Sequence, residues 1–123
     1  MTTTEMKCRT KAYATRVVKV CEALPKSWIA RTLGSQLLRS GTSVGANYRA
    51  VCRAKSKADF LNKLRIVKEE CDESLFWMEL LVENNLVKPT RLNSLLNEGN
   101  ELLAIVIASA KTLRASLENS TRM

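Results

Sequence analysis

Between Lys26 and Lys57 the chain carries seven basic side chains and no acidic one. Arg31, Arg49, Arg53, Lys55 and Lys57 belong to this run, and Lys7, Arg9, Lys11 and Arg16 form a second basic set near the start. Uncompensated arginine and lysine in this density suit an anionic partner, above all the phosphates of nucleic acid. Such contacts hold a backbone rather than read bases, so binding would be weakly sequence-specific and strongly salt-dependent. An acidic protein surface would suit the same charges, and a solvated basic face needs no ligand. Tyr48 lies among these residues, where it either stacks on a base or packs against a neighbouring helix.

The net charge of +8 is unevenly spread. Residues 58–83 hold seven acidic and three basic side chains, so a basic segment is followed by an acidic one. Internal pairing between the two accounts for part of the contrast. Glu70 and Glu73 lie one helical turn apart, with Trp77 on the next turn. Two carboxylates at that spacing either hold a metal or pair with arginine. A ferritin-like metal site needs Glu-x-x-His motifs, and the chain has no histidine. Losing histidine also removes most catalytic triads and general bases. Gly34, Gly41 and Gly45 have the wrong spacing for a phosphate-cradling loop and precede no GK[ST]. The sequence therefore implies a non-enzymatic protein with neither metal nor cofactor.

The four cysteines, Cys8, Cys21, Cys52 and Cys71, form no CxxC pair. They read as reduced, mostly buried small hydrophobes of a cytoplasmic protein. The opening "MTTTEMKCRTK" is polar and charged, unlike a signal peptide. No apolar run approaches the ~20 residues of a membrane span.

The elements that position these residues are helices. Aromatic residues are 5% of the chain, and glycine and proline are few. Pro25 and Pro89 are the main punctuation. Ala14, Val17, Val18, Cys21 and Leu24 give a first helix over roughly 5–24. Ser27 caps a second over roughly 27–54, with the stripe Ile29, Leu33, Leu37, Ser40, Val44, Asn47 and Val51. Ser56 caps a third over roughly 57–84, with Asp59 as a short-armed capping-box partner. Its stripe is Phe60, Leu64, Val67, Cys71, Ser74, Met78 and Leu81, and Asn84 or Asn85 ends it in the left-handed conformation. A fourth runs over roughly 90–118, with Gly99 costing about 1 kcal/mol relative to alanine and a polar tail from Glu118 that frays. Short links make neighbours antiparallel. The expectation is one all-α domain over 1–123, an antiparallel up-down-up-down four-helix bundle.

The stretch "RSGTSVGANYRA", Arg39 to Ala50, decides between three readings. Its glycines could break the helix, or form the turn of a helix-turn-helix, or let a continuous helix approach another backbone closely. The unbroken three-and-four spacing favours the last, a helix ~40 Å long. Ser40, Ser43 and Asn47 would then hydrogen-bond across an interface, inside the bundle or between subunits, and fix register.

"QLLRSGTSVGANYRA" followed by "SKADFLNKLRIVKEECDESLFWMELL" resembles the 23S ribosomal RNA intervening-sequence protein family. The match runs through Gln36, Leu37, Arg39, Ser40, Ser43, Val44, Asn47, Asp59, Phe60, Lys68, Glu69 or Glu70, Glu73, Ser74, Trp77 and Leu80. It covers about Leu24 to Glu83, while the first and fourth helices agree only in apolar pattern. Many members have an acidic residue soon after the asparagine; this chain has Arg49. The resemblance implies an antiparallel bundle that often forms a ring-like homopentamer, and relatives include the basic accessory protein of diversity-generating retroelements, which works with a reverse transcriptase and nucleic acid. An Arg39 pair with Glu70 or Glu73 would lock the register of the second and third helices.

Two functions follow. The leading one is a basic homo-oligomeric bundle that binds RNA or DNA through phosphates. The alternative is an oligomeric adaptor for an acidic protein such as a polymerase or ribosome-associated factor.

Overall fold

The structure, a computed structural model, describes the backbone of residues 1–122 and the side chains of residues 1–120. Four helices fill it: α1 Thr3–Glu22, α2 Trp28–Val51, α3 Lys57–Glu83 and α4 Pro89–Arg122. Ser27 and Ser56 cap α2 and α3, their hydroxyls accepting from the Ala30 and Asp59 amides. Asp59 answers by accepting from the Lys55 amide, one residue before the cap, and from the Lys63 ammonium. Asn85 adopts the left-handed conformation, φ 59°, and turns the chain out of α3. Pro89 opens α4, where its missing N–H costs nothing.

Several ends differ from the sequence reading: α1 stops at Glu22 where 24 was expected, and α2 at Val51 where 54 was expected. Helix α1 starts earlier, because the Thr2 hydroxyl accepts from the Glu5 amide and caps it. Helix α4 continues to Arg122 instead of ending at 118, since no glycine or proline follows to stop it.

Each helix packs on the next, and α4 closes on α1, so the four stand at the corners of a square with no diagonal contact between backbones among the described residues. Tyr13, Val17, Leu37, Val44, Leu64, Val67, Met78, Leu81, Leu92 and Leu102 are among the fully buried side chains of its core. Residues 39–50 are helical throughout, without a break at either glycine. The glycines are points of close approach. A Cβ on Gly45 would lie 3.2 Å from the Thr10 carbonyl oxygen, and one on Gly41 would lie 2.8 Å from the Val17 side chain. Helices α1 and α2 can touch this closely only because those methyl groups are missing.

The buried face of α2 keeps Leu37, Ser40, Val44 and Val51 of the expected stripe and widens towards its glycines. It runs Ala30, Gly34, Leu37, Ser40, Gly41, Val44, Tyr48 and Val51, while Ile29 is 46% exposed. The seam hydroxyls also behave differently. Ser40, Ser43 and Asn47 donate to the Gln36, Arg39 and Ser43 carbonyls of their own helix, and none crosses to another. A short polar side chain in a helix finds the carbonyl one turn back more readily than a partner across a gap.

Of the four cysteines, all free, Cys71 is buried, Cys21 and Cys52 are part-buried, and Cys8 is exposed, against the expectation that they be mostly buried. No helix among the described residues is long and apolar enough to cross a membrane.

Candidate nucleic-acid interface

Because α1 and α2 are antiparallel, the start of α1 and the end of α2 share one end of the bundle. There Lys7, Cys8 and Lys11 face Arg49 and Arg53 across a shallow concavity of about 320 Å³. The contact between Gly45 and Thr10 lies between these two rows and fixes how far apart they stand. All four cations are exposed, and none has a carboxylate partner among the described residues. Four unpaired positive charges on helices, with no acid among them, present a surface electrostatically suited to phosphates.

The other members of the expected basic set lie elsewhere. Arg9 turns towards α4: its guanidinium binds Glu98 through two hydrogen bonds of 2.8 and 2.7 Å and also pairs with Glu101. These bonds raise the arginine above its ordinary range and hold the Glu98 carboxyl below its own. Arg9 is thus removed from the candidate interface. Residues two apart on a helix point about 200° from each other, so Arg9 cannot share the face of Lys7 and Lys11. Arg16 donates to Ser94 at 2.9 Å, also on α4. The Lys57 ammonium donates to Ser116 at 3.1 Å. Lys55 sits in the link between α2 and α3. Arg31 is exposed but lies about 27 Å from Arg49 along α2, at 1.5 Å per residue. Tyr48 is buried, 6% exposed, and offers no stacking surface.

A second basic concavity, about 200 Å³, was not legible in the sums of charge. Arg65 and Lys68 on α3 face Lys111 and Arg114 on α4 above a floor of Leu61, Leu64, Ile107 and Ala110. These four cations likewise have no ion-pair partner among the described residues. The spacing held the signal: each pair is three residues apart, hence on one helical face. The net negative charge of residues 58–83 concealed it. The basic residues precede Glu69, and the exposed acids Glu69, Asp72, Glu79 and Glu83 follow in the other half of α3.

The seam between α2 and α3 is a closed polar network. Arg39 Nη1 lies 3.2 Å from Glu70 and Nη2 pairs with Glu73. Gln36 accepts from Arg39 Nε at 3.2 Å, and Trp77 Nε1 donates to Glu73 at 2.9 Å. The two carboxylates are engaged by an arginine and an indole, which sets the register of α2 against α3. No group of three or more metal-ligating residues occurs among the described residues.

The fold is shared with known proteins. A family model described as 23S rRNA-intervening sequence protein matches residues 3–108. The chain belongs to that family. Among solved structures it is similar to a protein of unknown function from the S23 ribosomal protein family of Bacteroides thetaiotaomicron. The two are 34% identical, with a TM-score of 0.81, covering 86% of this chain and 98% of the other. No curated protein matches the chain. The family match ends within α4, before Lys111 and Arg114, so two of the four cations of the second basic concavity lie outside it.

Proposed function

We propose that this intervening-sequence family member is a non-enzymatic, cytoplasmic nucleic-acid-binding bundle that holds RNA or DNA through its phosphates. The observation that carries the reading is the convergence of Lys7, Lys11, Arg49 and Arg53 on one concavity with no carboxylate among them. The second concavity, with Arg65, Lys68, Lys111 and Arg114, extends the same chemistry to the opposite pair of helices. Assembly as a homo-oligomer, a pentamer by the family resemblance, would repeat both surfaces about one axis and raise the local charge further.

Fluorescence anisotropy of a structured RNA and a matched DNA, at low and near-physiological salt, tests this. Each phosphate contact contributes a slope of about −0.7 to −0.9 to the plot of log affinity against log salt. Replacing Arg49 and Arg53 by glutamate should weaken binding to every sequence and flatten that slope by about two contacts. Helicity should be unchanged, because both side chains are exposed. Equal affinity in the double variant would remove the groove from the interface.

Trp28, 71% exposed, and Phe76, 51% exposed, favour a second reading, an adaptor that docks a protein. Binding that vanishes at physiological salt and ignores the choice of nucleic acid would support it.

A further inference from the structure

We infer that the far end of the bundle holds a binding site for a small amphipathic organic anion, a carboxylate on an apolar body. The site is a concavity of about 570 Å³ between the last turns of α1, the α3–α4 link and the first turn of α4. It is separate from both basic grooves, and the inference does not depend on nucleic-acid binding.

Three observations define the ligand. The volume falls within the range of about 300–1,000 Å³ that small-molecule sites occupy. Its walls divide by chemistry: Val20, Leu86 and Val87 are apolar, while Lys19, Lys88 and Arg91 are cationic, and no acidic side chain lines it. None of the three cations has an ion-pair partner among the described residues. The first turn of α4 adds no acid, so nothing within that turn offsets Lys88 and Arg91.

The wall is also built rather than loose. Asn85 takes its left-handed turn, and the amides of Leu86 and Val87 both donate to the Leu81 carbonyl, at 2.9 and 3.4 Å. This pins the two apolar side chains beside Val20. An apolar surface with three unpaired cations around it favours a ligand that has both parts. A bare anion would leave the apolar wall wet, and a neutral apolar molecule would leave the cations without a partner.

The test uses the full chain, labelled for amide NMR, and three probes at equal concentration: octanoate, octan-1-ol and acetate. Octanoate should shift the Leu86, Val87 and Arg91 amides saturably, and the other two should not. Lys88→Glu combined with Arg91→Glu should weaken octanoate at least tenfold while the rest of the spectrum stays in place. Arg49→Glu with Arg53→Glu should leave it unaffected. Equal shifts from octanol would reduce the site to an apolar patch, and equal shifts from acetate would reduce it to charge screening. Either result overturns the inference, as does a saturable octanoate response confined to another surface.

Discussion

The hydroxyls of Tyr13 and Ser74 lie 2.8 Å apart in the centre of the bundle, joining α1 to α3, two helices whose backbones do not pack together. Ser74 gives its own proton to the Cys71 carbonyl at 2.7 Å. The phenol must therefore be the donor. Burial pushes the Tyr13 phenol well above the usual tyrosine range and keeps that proton in place. Ser74→Ala should cost more stability than Tyr13→Phe. The first strands a buried donor, at about 1–3 kcal/mol, and the second loses one hydrogen bond, at about 1 kcal/mol. Urea unfolding of both variants decides the order, and the reverse order would show that the phenol finds another acceptor.

Gly99 on α4 makes room for this pair. A Cβ there would lie 2.9 Å from the Tyr13 hydroxyl and 2.7 Å from Leu75 Cδ2. Helix propensity alone predicts that Gly99→Ala stabilises by about 1 kcal/mol. Overpacking of about 1–3 kcal/mol should exceed this and make the variant less stable. Adding Tyr13→Phe should recover part of the loss, because one of the two clashing atoms is gone. Purely additive effects in that double-mutant cycle would place the strain on Leu75 alone.

The Arg9–Glu98 pair should make stability depend on acid pH. The hydrogen bond from Arg9 holds the Glu98 carboxyl below its ordinary value when folded. The stabilisation is therefore complete above the unfolded carboxyl's value and is lost as pH falls through the lower folded one. Glu98→Gln should lower stability at neutral pH by up to about 1 kcal/mol, since the pair is only part-buried. It should also flatten the fall in stability on the acid side. Denaturation midpoints from neutral to strongly acid pH, measured on both proteins, would reveal an unchanged acid limb if Glu98 were not responsible.

Arg39 is half-exposed, so its two ion pairs should set register more than they stabilise. Arg39→Met should cost less than about 1 kcal/mol, and the difference from the parent should shrink in high salt. A salt-independent loss of several kcal/mol would indicate instead that the network acts as a buried one.

The cysteines should alkylate in a fixed order. Cys8 is exposed, whereas burial pushes the Cys71 thiol up to about 12 and closes off its access. Mass spectrometry of the native protein under iodoacetamide should find Cys8 modified first and Cys71 last. Early labelling of Cys71 would reveal opening of the α3–α4 contact.

The sequence made the helices legible because their starts and stops are local chemistry. Ser27, Ser56, Asn85 and Pro89 act within one turn of themselves, and each lies where that chemistry requires. The face of α2 was harder to read. Gly34 and Gly41 carry no hydrophobic signal, yet they are buried, and Ile29 carries a strong one on an exposed face. The basic set showed the same weakness. Charge can be counted along a chain, but which cation meets a carboxylate depends on the partner helix, and Glu98 is 89 residues from Arg9. The helical rotation between Arg9 and its neighbours Lys7 and Lys11 was the available clue.

The contact at Gly45 has a further consequence. The two rows of cations on α1 and α2 are held apart by backbone against backbone, with no flexible loop between them. In the proposed interface the groove would therefore act as a ruler, its backbone offering one spacing to all comers. Only the exposed Lys and Arg side chains would then have to be ordered on binding. The contact also means that one added methyl group, far smaller than any charge change, would recalibrate the ruler by prising α1 from α2.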